Sequence, residues 1–390
     1  MIDFSLTDEQ RMIQDSVRAF MKKEVMPYEQ PLLHRALKGG SAELEKDELK
    51  ALQKKAKEAG FWGIDTPEEY GGANVGPVAE ALIHMETGKS FVNFKFGGSA
   101  MNVLFLLNEE QKPDYLIPVI QGERSAGFAL SEPGVGSDAR NIKASAVRRG
   151  KDWVLNGEKT WITNGNDADF VIAFFRTPEE GDPNGVTAFL VDRAMGWTSS
   201  PIRMMGAHDP ASLHFDNVRV PDRNVVGKVN DGFRIAMAFI YKNRGWILGG
   251  KNVGASERLL AMAMEQAEDR VTFGKKLAER ENIQFMIAES EAEIRAAKLL
   301  VLDCAWQASV GKDYRQASCV SKFFVANMAN RVVDRVLQIH GGMGYAKEMP
   351  IEKWYRDLRI QRIWEGSDEM NLAWIFRSLR EGRATIGDIH

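Results

Sequence analysis

Apolar residues in the first third of the chain recur at helical spacing, give way near Ser125 to short strand-like runs, and return to long helical repeats beyond Pro221. Residues 1 to about 124 therefore predict mainly helices. Thr7 stands where an N-cap is needed before Asp8 and Glu9, and Glu43 to Glu58 reads as a charged amphipathic helix. Tyr70-Gly71-Gly72 breaks the pattern. The apolar stretch from about Ala79 to Leu107 carries Phe91, Phe94, Phe96 and Phe105, which either pack in a core or form one wall of a hydrophobic pocket.

From Ser125 to about Val229, runs of Val, Ile, Phe and Thr alternate with turn pairs such as Asn156-Gly157 and Asn184-Gly185, which are strand and hairpin signals. Phe170 to Phe175 and Thr187 to Val191 predict buried strands, and Leu213 to Val218 a half-exposed one. No proline lies between Pro221 and Pro350, as suits long helices. Asn282 to Val310 and Lys312 to His340 lack both Gly and Pro and are separated by Gly311. They predict two antiparallel helices, each about 40 Å long at roughly 1.5 Å per residue. With Gly232 to Arg270 and Asp368 to Arg380 they complete a predicted four-helix bundle. The expected fold class is a multidomain α+β chain. It has an N-terminal helical domain (1–124), a middle antiparallel β domain (125–230) and a C-terminal four-helix bundle (231–390).

Composition narrows the class. With 44% hydrophobic and 27% charged residues, the 390-residue chain reads as a folded globular protein. Met1 to Phe20 mixes apolar residues with Asp3, Asp8, Glu9, Arg11 and Asp15, so the expectation is no signal peptide, no membrane span and a cytoplasmic protein. A net charge of −3 gives no general reason to bind nucleic acid. Cys304 and Cys319 form no CxxC pair and the histidines no HxxxH, so neither a disulfide framework nor a metal site is expected. No GxGxxG follows a strand and no P-loop occurs.

Four segments carry candidate chemistry beside a fifth that holds a candidate base. Ser131-Glu132-Pro133-Gly134-Val135-Gly136-Ser137-Asp138 follows the apolar run Phe128-Ala129-Leu130. Its glycines let main-chain N–H groups approach a ligand closely. Asn156 to Gly165 starts with a predicted turn and then puts Trp161 and Thr163 on one strand face, which suits a flat heteroaromatic ligand or a packed surface tryptophan. Arg270-Val271-Thr272-Phe273-Gly274-Lys275 lies between helices, and its arginine is either an exposed helix-end cation or a bidentate phosphate donor. Gln338 to Tyr345 ends a helix in glycines. In the fifth, Ile363 to Glu369, Ser367 can cap the next helix and Gly366 can turn the chain, leaving Glu365 on a loop as a base or a solvated acid.

Together these segments resemble the acyl-CoA dehydrogenase family, and the resemblance spans nearly the whole chain. It implies FAD as cofactor, with Phe128, Leu130, Ser131, Trp161 and Thr163 around the isoalloxazine. It implies Arg270, Thr272 and Phe273 of an RxTFGK motif reaching the FAD of a neighbouring subunit, and Gln338, Gly341 and Gly342 meeting the pyrophosphate and adenosine. Ser367 and Glu369 fall on the cofactor side, and Ser137, Arg244 and Gly366 on the acyl-CoA side. Glu365 matches the family's catalytic base in an EGS tripeptide, while the alternative location for that base holds Asn243. The implied reaction removes the α-proton and a β-hydride to give a trans-2-enoyl-CoA, with the backbone N–H of Glu365 polarising the thioester carbonyl. Electron-transferring flavoprotein is the implied acceptor and a homotetramer, a dimer of dimers, the implied assembly. Three departures stand out: Glu281 where the family often has Gln, a shorter Met205 to Ser212 loop, and Ser367 in place of Thr. The rival readings are an acyl-CoA oxidase or flavin monooxygenase on the same fold, or a flavin-containing nucleic-acid-binding relative. Trp364, Phe91 and Phe94 favour a short, branched or cyclic acyl group.

Overall fold

The computed structural model describes residues 5–178, 185–206 and 209–387. In chain order the first helices are α1 (Asp8–Phe20), α2 (Glu29–Leu37), α3 (Lys46–Glu58), α4 (Gly76–Gly88), and the short α5 (Lys112–Tyr115) and α6 (Ile117–Gln121). Strands follow: β1 (Ala126–Ala129), β2 (Ser145–Arg149), β3 (Asp152–Ile162), β4 (Phe170–Arg176), β5 (Val186–Asp192), β6 (Thr198–Pro201), β7 (Ala211–Pro221) and β8 (Val225–Val226). The rest comprises α7 (Gly232–Lys242), a π turn (Asn243–Ile247), α8 (Leu248–Asp269) and the hairpin β9 (Val271–Thr272) and β10 (Lys275–Lys276). It ends with α9 (Glu281–Ser309), α10 (Arg315–His340), α11 (Gly342–Tyr345), α12 (Pro350–Arg359) and α13 (Asp368–Arg380). The predicted helical, β, helical order is observed, and no helix among the described residues is long and apolar enough to cross a membrane.

By its contacts the chain forms two compact units, one of Met1–Phe61, Val75–Phe96 and Tyr241–His390, the other of Trp62–Asn74 and Gly97–Ile240. The first is helical. Thr7 caps α1 as expected, its hydroxyl accepting from the Gln10 N–H at 3.1 Å while the Gln10 side chain accepts from the Thr7 N–H. Gly311, at φ +71°, turns the chain after α9, and α10 starts at Arg315, later than expected, because Asp313 accepts from the Arg315 N–H at 3.1 Å. Helices α8, α9 and α10 pack along one another with α13 on α10, and α4 packs on α8 and α9. The α4 and α8 backbones touch, since a Cβ on Gly254 would lie 1.9 Å from the Met85 carbonyl oxygen and one on Gly88 2.2 Å from that of Lys251. Phe91, Phe94 and Phe96 prove to be core residues: Phe94 and Phe96 cluster with Phe20, and Phe91 packs edge-on against Trp354.

The second unit is built on an eight-stranded sheet ordered β6-β7-β3-β2-β4-β5-β8, with β1 beside β4. Its ladders are antiparallel except where β1, and one step of β2, run parallel to β4. Strand β4 is buried on both faces, which explains its unbroken apolar run. Phe170, Ile172 and Phe174 enter one core with residues of α5 and α6, and Val171, Ala173 and Phe175 enter the other with Trp153, Leu155 and Phe215. The sequence expectation at Asn156-Gly157 is corrected: the pair lies inside β3 at a register shift, Gly157 adopting φ 135° where a Cβ would meet that of Ala144 at 2.5 Å. The hairpin instead turns at Gly150-Lys151, between the paired Arg149 and Asp152. Asn184, Ala207 and His208 lie outside the described residues.

Candidate active site

In the helical unit, Ser367 caps α13 by accepting from the Met370 N–H, and the chain before it is bent by two consecutive left-handed residues, Glu365 (φ 54°) and Gly366 (φ 87°). A left-handed glutamate is strained, and such strain persists only where the surroundings enforce it. Here they do. The Gly366 carbonyl accepts from Asn371 Nδ2 at 2.8 Å and from the buried Lys322 ammonium at 3.3 Å, while Arg244 Nη1 donates to the Glu365 carbonyl at 3.4 Å. The bend aims the Glu365 side chain inward. One carboxylate oxygen, Oε1, accepts from Asn243 Nδ2 at 2.7 Å; the other, Oε2, is buried and has no hydrogen-bond partner. Burial raises the Glu365 pKa above the ordinary carboxylate range, against the opposing pull of Asn243, Arg244 and Lys322. An inward carboxylate with a free lone pair and an elevated pKa is what a general base requires.

Asn243 and Arg244 reach this loop from the π turn Asn243–Ile247, and such turns commonly occur at functional sites. The buried Arg244 guanidinium lies over the Tyr241 ring and donates to Ser318 Oγ and Cys319 Sγ as well as to the Glu365 carbonyl. It thus braces the base loop from beneath. Asn243 holds the ionised form of Glu365, so its removal must raise the pKa of that carboxyl. We expect Asn243→Ala to move the acid limb of the pH–rate profile to higher pH; a limb that stayed in place would show that Asn243 does not act on Glu365.

The glycine-rich octet lies in the other unit and is anchored by a pair that the sequence reading missed. Glu132 is buried, and its carboxylate accepts from Lys159 Nζ at 2.6 Å and from the Lys143 and Ala144 N–H groups at 2.6 and 3.1 Å. Lys159 also donates to the Leu130 carbonyl at 3.2 Å, and burial draws its pKa down to about 8. Between these anchors, the Ser131 carbonyl accepts from the Thr160 N–H at 2.9 Å, which sets the serine beside Trp161. Trp161 itself is left-handed (φ 62°) at a second register shift of β3, and its indole is 56% exposed. A bulge re-aims a side chain, so this ring faces solvent because of the irregularity. Thr163 is likewise exposed but lies past the strand end, in the turn closed by the Gly165 N–H to Ile162 carbonyl bond, so strand alternation does not account for the pair. Phe128 stacks on Phe239 at 4.6 Å and Leu130 is buried, so both side chains belong to the core. Ser137 is exposed.

The remaining candidates lie in the helical unit. Phe273 and Gly274 are both left-handed and form the two-residue turn between β9 and β10, leaving Phe273 97% exposed at the tip. Arg280 donates to the Thr272 carbonyl and so fixes the base of the hairpin. The Arg270 side chain is exposed and has no hydrogen bond or ion pair among the described residues. Gln338, Gly341 and Gly342 are exposed at the end of α10, and Glu369 is exposed in the first turn of α13. Among the described residues no cluster of potential ligands could hold a metal ion, and both cysteines are buried and free. Within the β unit, an exposed indole on an enforced bulge near Ser131 suits a flat ring system; within the helical unit, an exposed arginine that lacks a counter-charge suits a phosphate group.

Three family models match in succession: "Acyl-CoA dehydrogenase, N-terminal domain" over residues 7–123, the middle domain over 127–218 and the C-terminal domain over 230–380. The chain is 34% identical to (R)-benzylsuccinyl-CoA dehydrogenase of Thauera aromatica, covering 97% of each chain. It is 32% identical to a 3-(aryl)acrylate reductase of Clostridium sporogenes, over 93% of this chain and 96% of that one. Among solved structures, butyryl-CoA dehydrogenase from Megasphaera elsdenii superposes with a TM-score of 0.85 at 29% identity, over 97% of this chain and 100% of that one.

Proposed function

The chain belongs to the acyl-CoA dehydrogenase family of FAD-dependent oxidoreductases, and from that premise we propose that it oxidises an acyl-CoA thioester to the trans-2-enoyl-CoA with Glu365 as the base. The observation that carries the assignment is the Glu365 carboxylate, held on a strained bend with Oε2 buried and free of partners. In this reading the α-proton passes to Oε2, and the electron pair left at the α-carbon forms the new double bond as the β-hydrogen departs. FAD, when bound, accepts that hydrogen with its electron pair. The Glu365 N–H polarises the thioester carbonyl, and Arg244 and Lys322 keep the bend from relaxing as charge moves.

We assign Ser131, Trp161 and Thr163, with the backbone of Phe128 and Leu130, to the isoalloxazine, and Arg270, Thr272, Phe273, Gln338, Gly341 and Gly342 to the diphosphate and adenosine. Ser367 and Glu369 complete the cofactor side, and Ser137, Arg244 and Gly366 the thioester side. Support comes from the exposed Trp161, Phe273 and Arg270. The proposal includes three segments, 1–124, 125–230 and 231–390, supported by family models over 7–123, 127–218 and 230–380. It also includes a cytoplasmic homotetramer that passes electrons to an electron-transferring flavoprotein. Incubating the holoprotein with acyl-CoAs and an artificial electron acceptor tests the reaction. The expected product is two hydrogens lighter than the substrate and carries a trans double bond next to the thioester; substrate recovered unchanged across straight, branched, cyclic and carboxylated acyl groups would refute the reading.

A further inference from the structure

Between Tyr241 and Ser256 the helix is buried at every position except Lys242, Asn243, Ile247 and Lys251. Lys242 is accounted for by Glu80, 2.9 Å away. The other three form a stripe. The π turn takes up one extra residue, so Asn243 and Lys251, eight positions apart, are offset as seven α-helical positions would be, on one face and about 10 Å apart along the axis. Asn243 holds the base at one end, Ile247 provides an apolar midpoint, and Lys251 lies at the far end.

Other cationic or polar groups gather there. Lys95 lies on the segment after α4; its neighbours Phe94 and Phe96 are buried, its own side chain is exposed, and Gln53 fixes its carbonyl at 3.1 Å. Burial brings the Lys251 pKa down to about 8, and the charge of Lys95 adds a smaller push in the same direction. Neither ammonium has an ion pair or hydrogen bond among the described residues. His84 lies beside Gly250, where a Cβ would be 3.0 Å from its own, and its Nδ1 is buried with no partner. Glu80 and Glu86, the carboxylates of this stretch of α4, are already engaged with Lys242 and Trp246, and with Arg18 and Lys89. The half-buried Lys251 ammonium is therefore left with no counter-anion, and the buried His84 nitrogen with no hydrogen-bond partner, from the helical unit, and a bound anion would serve both, with the exposed Lys95 as a further cation.

We propose that Lys251, Lys95 and His84 form a subsite for a carboxylate at the far end of the acyl group, so that the preferred substrate is the monothioester of a dicarboxylic acid. This inference rests on the acyl-CoA reading and on Glu365 marking the α-carbon end of the stripe. CoA contributes its own phosphates, but they are separated from the thioester by the whole pantetheine arm, which is longer than two helical turns.

The test uses holoprotein carrying Glu365→Gln, so that calorimetry reads binding without turnover. Glutaryl-, adipyl- and pimelyl-CoA are compared with pentanoyl-, hexanoyl- and heptanoyl-CoA and with free CoA. The expected result is a preference for the carboxylated member of at least one pair by about 10- to 100-fold, as a charge-assisted hydrogen bond supplies. That ratio should collapse toward unity in Lys251→Met and, independently, in Lys95→Met, whose exposed site does not threaten folding. Equal affinity for both members of every pair would overturn the subsite, as would equal loss for both members in the lysine variants, which would assign the cations to CoA phosphates. Failure of every thioester to bind would instead overturn the acyl-CoA reading itself.

Discussion

Glu365→Gln is expected to keep its FAD and its affinity for acyl-CoA while the rate of flavin reduction falls by about 10²- to 10⁴-fold, the usual contribution of a positioned general base. The substitution preserves the size of the side chain and its bond to Asn243, since an amide oxygen still accepts from Nδ2. It removes only the ability to take a proton at Oε2. The elevated pKa makes the effect pH-dependent: in the wild-type protein the base must be ionised, so the rate rises as pH passes upward through the Glu365 pKa, and that rise should vanish in the variant. Wash-in of deuterium at the α-carbon should disappear with it. A Glu365→Gln protein that reduced its flavin at the wild-type rate would assign the base elsewhere.

The second large effect is structural and falls on the octet. Glu132→Ala would leave the buried Lys159 ammonium and the N–H groups of Lys143 and Ala144 without their acceptor. Removing one partner of a buried ion pair typically destabilises by roughly 3–5 kcal/mol, because the remaining charge stays uncompensated. In a unit of this size that corresponds to a fall in Tm on the order of 10 °C, measurable by calorimetry. Flavin retention should drop as well, since Lys159 also holds the Leu130 carbonyl next to Ser131. Replacing the pair together, Glu132→Gln with Lys159→Met, should recover part of the lost stability; if the double variant were no better than Glu132→Ala, the uncompensated lysine would not be the cause.

Much of the helical architecture was legible because its signals are local. Thr7, Gly311 and Ser367 each act within four residues of their own position, and α13 spans Asp368–Arg380 as the pattern predicts. The β region was legible as strands but not as register. Asn156-Gly157 has hairpin chemistry yet lies inside β3, because long-range pairing with β7 determines where the ladder shifts. Glu365 was found through its tripeptide, but its partners were not, since Asn243 is 122 residues away in the chain. The Glu132–Lys159 pair and the Lys95–Lys251 cluster share that difficulty. A buried charge looks like any surface charge until the fold brings its partner near or leaves it without one.

The most direct test of the central claim is an anaerobic titration of the yellow holoprotein with acyl-CoA thioesters, reading flavin absorbance and thioester composition together. The account predicts that a matching thioester bleaches the flavin and yields one trans-2-enoyl-CoA per flavin reduced, and that Glu365→Gln binds the same thioester without bleaching on that timescale. Thioesters that bind tightly yet leave the flavin oxidised in the wild-type protein, whatever their acyl group, would contradict it.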